Sequence, residues 1–183
     1  MEATDEGLMA AYRDGDAAAF DVLYARHRGP LYRYVLRGVK SAAIAEELYQ
    51  DIWIRVIEAR LGYSPRAKFT TWLYTIAHNR LVDHWRRKEL VAAPAEEAEQ
   101  LPAGAEAAPD RRAEGRQALR RLSKAIEALP HAQREAFLLH EEAGMTTPEI
   151  AAATGSAPEA VKSRLRYAYA KLQAAVWDEA RDD

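Results

Sequence analysis

The stretch Thr147–Arg166, TPEIAAATGSAPEAVKSRLR, decides the fold. Ala151 is small where two helices must touch. Gly155 follows four residues later, where a turn needs a positive φ, and Val161 follows six after that, placed to plug a second helix onto the first. With Val161 as origin, Leu165, Ala168 and Leu172 share one helical face, while Glu159, Lys162, Ser163 and Arg166 project from the opposite one. The spacing predicts a helix-turn-helix whose outward face meets a DNA major groove. A plain helical hairpin with a glycine cap would share the three positions, so the rest of the chain must discriminate.

A chain of 183 residues with 49% hydrophobic residues fits one large or two small domains and excludes disorder throughout. It has no cysteine, hence no disulfide and no thiolate metal site. The start MEATDEGLMAAYRDGD lacks a basic region followed by an apolar run, and no apolar stretch approaches the ~18 residues needed to span a bilayer, so a cytoplasmic protein without membrane insertion is expected. The net charge of −2 is unevenly spread. Residues 62–87 hold five basic side chains (Arg66, Lys68, Arg80, Arg86, Arg87) against Asp83, and residues 158–171 hold four (Lys162, Arg164, Arg166, Lys171) against Glu159. Between them, Glu89 to Asp110 carries six acids and no base. Two basic faces separated by an acidic connector suit a protein that touches DNA at two places.

Helical periodicity dominates, and the chain reads as all-α. Thr4 and Asp16 are placed as N-caps of the first two helices, and Gly29-Pro30 either kinks the second or divides it. A third helix is expected over about Ile44 to Arg60 and a fourth over about Thr70 to Arg87. Val91 to Gly115 is Ala, Glu, Pro and Gly with almost no large apolar residue, the composition of a flexible acidic linker. The expected organisation is therefore two small helical domains, residues 1–87 and 116–183, joined by a linker over 88–115, with the helix-turn-helix in the second.

The run FTTWLYTIAHNRLVDHWRR, Phe69 to Arg87, resembles the promoter-melting helix of bacterial RNA polymerase sigma factors of the extracytoplasmic-function group of the sigma-70 family. AEELYQDIWIRVIEA, Ala45 to Ala59, is similar to that family's helix for gripping core polymerase, and the helix-turn-helix with its lead-in LPHAQREAFLLHEEAGMT resembles its second domain. The resemblance implies an alternative sigma factor that binds core RNA polymerase through the β′ and β subunits and directs it to promoter DNA, with an anti-sigma factor as a further partner, no cofactor, and no enzymatic activity of its own. It places Glu47, Leu48, Gln50, Asp51 and Trp53 against the polymerase. Arg66, Lys68, Phe69, Asn79, Arg80, Arg86 and Arg87 fall against the −10 element, and Glu159, Lys162, Ser163, Arg164, Arg166 and Tyr167 against the −35 element. The loop Ser64-Pro65-Arg66-Ala67-Lys68 departs from the Gly and small polar residues common in the family, so the residue that captures a flipped −10 base is not assigned.

Other readings find less support. His78 and His84 are six apart, about 240° around a helix, and point away from each other, which argues against a metal site. No Gly-rich phosphate loop, nucleophile elbow or Cys/His pair supports an enzyme. A sigma-mimicking decoy that sequesters an inhibitor without touching promoters is the alternative function, but it should lose the basic face that Lys162, Arg164 and Arg166 retain here. An ordinary repressor leaves the first domain unexplained.

Overall fold

The computed structural model describes residues 3–91 and 111–177, and all regular structure among them is helical. In chain order the helices are α1 (Asp5–Arg13), α2 (Ala17–Val39), α3 (Ala42–Ala59), α4 (Phe69–Val91), α5 (Arg111–Ala128), α6 (His131–Glu141), α7 (Thr147–Thr154) and α8 (Pro158–Trp177), with a short 3-10 turn at Arg60–Gly62. Most of the expected acidic linker lies outside the described residues. Its two margins are helical: α4 continues through Val91 and α5 begins at Arg111.

Local chemistry sets most of the boundaries. The Thr4 hydroxyl accepts from the Gly7 amide at 3.2 Å and the Asp16 carboxylate from the Ala18 amide at 3.0 Å, satisfying amides that the first turns of α1 and α2 leave without partners. Helix α2 neither stops nor divides at Gly29-Pro30. Leu23 on one side of the proline and Leu31, Tyr34 and Val35 on the other are buried in the same core, which offsets the roughly 3 kcal/mol a mid-helix proline costs. The helix ends instead at Lys40, in the left-handed region at φ 60°, whose amide bonds to the Leu36 carbonyl at 2.8 Å.

Helices α1 to α4 form the first domain around Met9, Leu23, Leu31, Leu48, Ile52, Val56, Phe69, Leu73 and Leu81, all almost without exposure. Helices α5 to α8 form the second around Leu138, Leu139, Ile150, Val161 and Ala168. The two do not stand apart. Helices α6 and α7 rest on α2 and α4, and the buried apolar residues of both domains form one contiguous cluster.

Candidate nucleic-acid and polymerase interfaces

The second domain presents its recognition helix as the sequence spacing predicts. Helix α7 starts at Thr146, whose amide donates to the Glu149 carboxylate at 2.7 Å and whose hydroxyl donates to the same oxygen at 2.8 Å. It stops at Gly155, where φ is +61° and the amide bonds to the Ala151 carbonyl. Ala151 and Val161 are buried between α7 and α8, and Leu165, Ala168 and Leu172 continue the buried stripe along α8. Glu159, Lys162, Arg166 and Tyr167 are exposed on its other side, with Ser163 half-buried. Lys162 pairs with Glu159 at 2.8 Å, and the Arg166 guanidinium lies over the Tyr167 ring, 5.0 Å from its centroid. Arg164 is turned inward instead. It is half-buried and donates to the Ser156 hydroxyl at 2.8 Å, so it braces the turn from within and does not share the outward face.

In the first domain the residues expected at the polymerase divide into two sets. Glu47 and Gln50 are exposed on α3. Leu48 and Trp53 are core residues, 1% and 5% exposed, with Trp53 edge-on to Phe20 and Tyr24, so neither offers a contact surface as expected. Asp51 is also committed internally: it bonds to Arg80 of α4 and lies 3.4 Å from Arg55. Partial burial pushes the Asp51 carboxyl up, but the hydrogen bond and charge of Arg80 outweigh this and leave it below the usual carboxylate range.

The expected −10 residues divide in the same way. Arg66, Lys68, Asn79, Arg86 and Arg87 are exposed. Arg80 and Phe69 are corrections. Arg80 is 9% exposed and ties α4 to α3 through Asp51, and Phe69 is fully buried among Tyr63, Trp72 and His27, its amide donating to the Glu6 carboxylate at 2.8 Å. Phe69 and Arg80, which look like DNA contacts in a one-dimensional reading, are here struts that hold α4 in place. Beside them, Arg55, Glu58 and Ala59 of α3 and Ile76 and Asn79 of α4 line an open groove. Among the described residues, no three His, Asp or Glu side chains gather as a metal site, and no helix is long and apolar enough to cross a membrane.

Comparison with known proteins follows this division. Residues 23–90 match sigma-70 region 2 and residues 119–172 match sigma-70 region 4. The chain is 37% identical over 166 residues to the RNA polymerase sigma factor CarQ of Myxococcus xanthus, covering 90% of this chain and 93% of that one. The chain belongs to the extracytoplasmic-function group of sigma-70 family sigma factors. The ECF sigma factor RpoE of Cereibacter sphaeroides is 34% identical over 170 residues, with 91% of each chain covered. Among solved structures, CnrH in complex with the cytosolic domain of CnrY superposes with a TM-score of 0.68 at 26% identity, covering 93% of this chain and 95% of that one. The protein is thus an alternative sigma factor, a transcription initiation factor that directs RNA polymerase to promoters.

Sequence reasoning missed the polar residues joining the two domains. Tyr34 and His78 meet Glu135, Arg33 and Arg37 meet Glu142, and Lys68 meets Glu149. Each looks like an ordinary solvated residue until its partner, 57 or more positions away in the case of Glu135, is brought against it.

Proposed function

We propose a division of labour in which residues 1–87 grip core polymerase and read and open the −10 element, and residues 116–183 dock on the −35 element. What carries the reading is the segregation along α8: Val161, Leu165, Ala168 and Leu172 are buried while Lys162, Arg166 and Tyr167 are exposed, the pattern of a helix whose free side is kept for a groove. Polymerase contact rests on the exposed Glu47 and Gln50, with Asp51 holding α3 to α4 behind them. On the −10 side, Arg66, Lys68, Arg86 and Arg87 neutralise backbone phosphates, Asn79 offers its amide to the unpaired strand, and Arg80, Phe69 and Asp51 position α4 from beneath. Arg164 acts through the turn it braces.

The protein acts in the cytoplasm, has no catalytic activity of its own, and is held in check by an anti-sigma partner, as the likeness to CnrH bound to a CnrY domain supports. The test is transcription in vitro with core polymerase and a library of genomic fragments. A shared upstream motif among the transcripts is the expected outcome. Transcripts that never depend on the added protein would refute the assignment.

A further inference from the structure

Residues 64–68, the loop that leads into α4, are all exposed, yet the residue at each end of them is buried. Tyr63 is 3% exposed and Phe69 is fully enclosed, and their rings meet edge-on with centroids 6.4 Å apart. The loop is therefore an arch on two aromatic feet, with Arg66 and Lys68 on its exposed span.

Helix α1 holds both feet. The half-buried Glu6 carboxylate accepts from the Phe69 amide at 2.8 Å, one of the amides that the first turn of α4 leaves without a helical partner. At the other foot the Arg13 guanidinium donates to the Tyr63 carbonyl at 3.4 Å, and the Arg60 guanidinium lies over the Tyr12 ring, 5.8 Å from its centroid. Glu6 and Arg13 are seven positions apart, close to two full turns, so one side of α1 carries both. Burial pushes the Tyr63 hydroxyl up, and the charges of Glu6 and Asp5 push it further, which puts both carboxylates within electrostatic reach of that foot. The helix is itself anchored beside Glu6. Asp5 takes the Arg26 guanidinium at 2.7 Å and lies 2.6 Å from His27 Nε2, and the His27 ring packs on Phe69 with centroids 5.2 Å apart.

Both bonds from α1 end on backbone atoms at the loop's boundaries, so they fix the path of the chain whatever side chains the loop carries. A span with free ends must be ordered at the moment it takes an unstacked base, and fixing its ends in advance removes much of that cost. We propose that α1 is a clamp for this loop, and that Glu6 and Arg13 are positioning residues for promoter opening, acting on the strand only through the loop they hold. This rests on the −10 reading for what the loop does, but not for how it is held.

The chain has no cysteine, so a nitroxide on Ala67→Cys, in the exposed span, reports loop mobility in the full-length protein. Glu6→Ala should narrow its spectrum, and Arg13→Ala should do so less, because its bond is longer. Glu6→Gln removes the charge but keeps an acceptor oxygen, and should leave the spectrum near that of the parent. With Ala67 intact, the same variants are assembled with core polymerase on a promoter recovered from the fragment library, and opening is followed by 2-aminopurine fluorescence in the −10 element. Glu6→Ala should slow opening about tenfold, the weight of one hydrogen bond to a charged group, with affinity for core unchanged. Glu6→Gln should open near the parent rate. Asp16→Ala removes the cap of α2 in the same domain, where the bonds go to Ala18 and Ala11, and should change neither readout. An unchanged Glu6→Ala spectrum would overturn the clamp. A freer loop with unchanged opening, or an equal slowing in Asp16→Ala, would overturn the positioning role. Should the parent direct no transcription while the label still responds to Glu6→Ala, the −10 reading falls and the clamp stands.

Discussion

Replacing Gly155 by alanine tests the geometry on which the recognition helix depends. Gly155 sits at φ +61°, and a Cβ built there meets nothing within 4 Å, so no clash enters the cost. What remains is the backbone penalty for an L-residue in the left-handed region, about 1–2 kcal/mol. For a cooperative unit of this size each kcal/mol lowers Tm by roughly 2–4 °C, so a fall of several degrees is expected. Gly62 is the matched control. A Cβ there also meets nothing, but φ is not positive, and Gly62→Ala should stabilise by about 0.4–1 kcal/mol through the unfolded chain. The assay is thermal unfolding followed by far-UV circular dichroism on both variants and the parent, with urea midpoints to check the sign. Opposite shifts are the expected result. A Gly155→Ala protein as stable as its parent would mean that the turn between α7 and α8 does not have the conformation described, and the orientation of α8 would have to be reconsidered.

Three further outcomes follow from the same geometry. Arg166→Ala removes an exposed side chain of α8, so promoter binding should weaken by about 1–3 kcal/mol while Tm stays unchanged; equal transcription from all promoters would exclude this face as the reader. Glu47→Lys with Gln50→Lys should abolish co-purification with core polymerase without loss of helicity, whereas Asp51→Lys should also lower Tm, because it breaks the link to Arg80. The Glu149 carboxyl is held down at about 2, first by the hydrogen bond from Lys68 and then by the Thr146 amide, against 4.5 unperturbed. A depressed folded-state value means that this stabilisation is complete above pH 4.5 and is lost as pH falls toward 2; urea midpoints of the parent should drop more steeply across that window than those of Glu149→Gln, and parallel curves would refute the pairing.

The helix-turn-helix was legible because everything that defines it is local. A small residue, a glycine and a β-branched residue at fixed offsets state the turn, and the 3.6-residue period then assigns Val161, Leu165, Ala168 and Leu172 to the buried side without reference to any other part of the chain. Caps were legible for the same reason, as Thr4 and Asp16 show. The site residues of α3 and α4 were harder. A period defines which positions share a face but not which face meets the neighbouring helix, and α4 spreads large apolar residues over most of its circumference. Arg80 thus looked like one more exposed arginine of a basic run, although α3 supplies Asp51 to it from 29 positions away.

The all-helical fold and the helix-turn-helix could be read from the residues alone, because composition, spacing and capping act over a few positions. It took the packing of whole helices to show that Leu48, Trp53 and Phe69 are core and that Glu135, Glu142 and Glu149 meet Tyr34, His78, Arg33 and Lys68 of the other domain. Burial and pairing depend on how whole helices are set against each other, and no window of sequence contains both surfaces of such a contact.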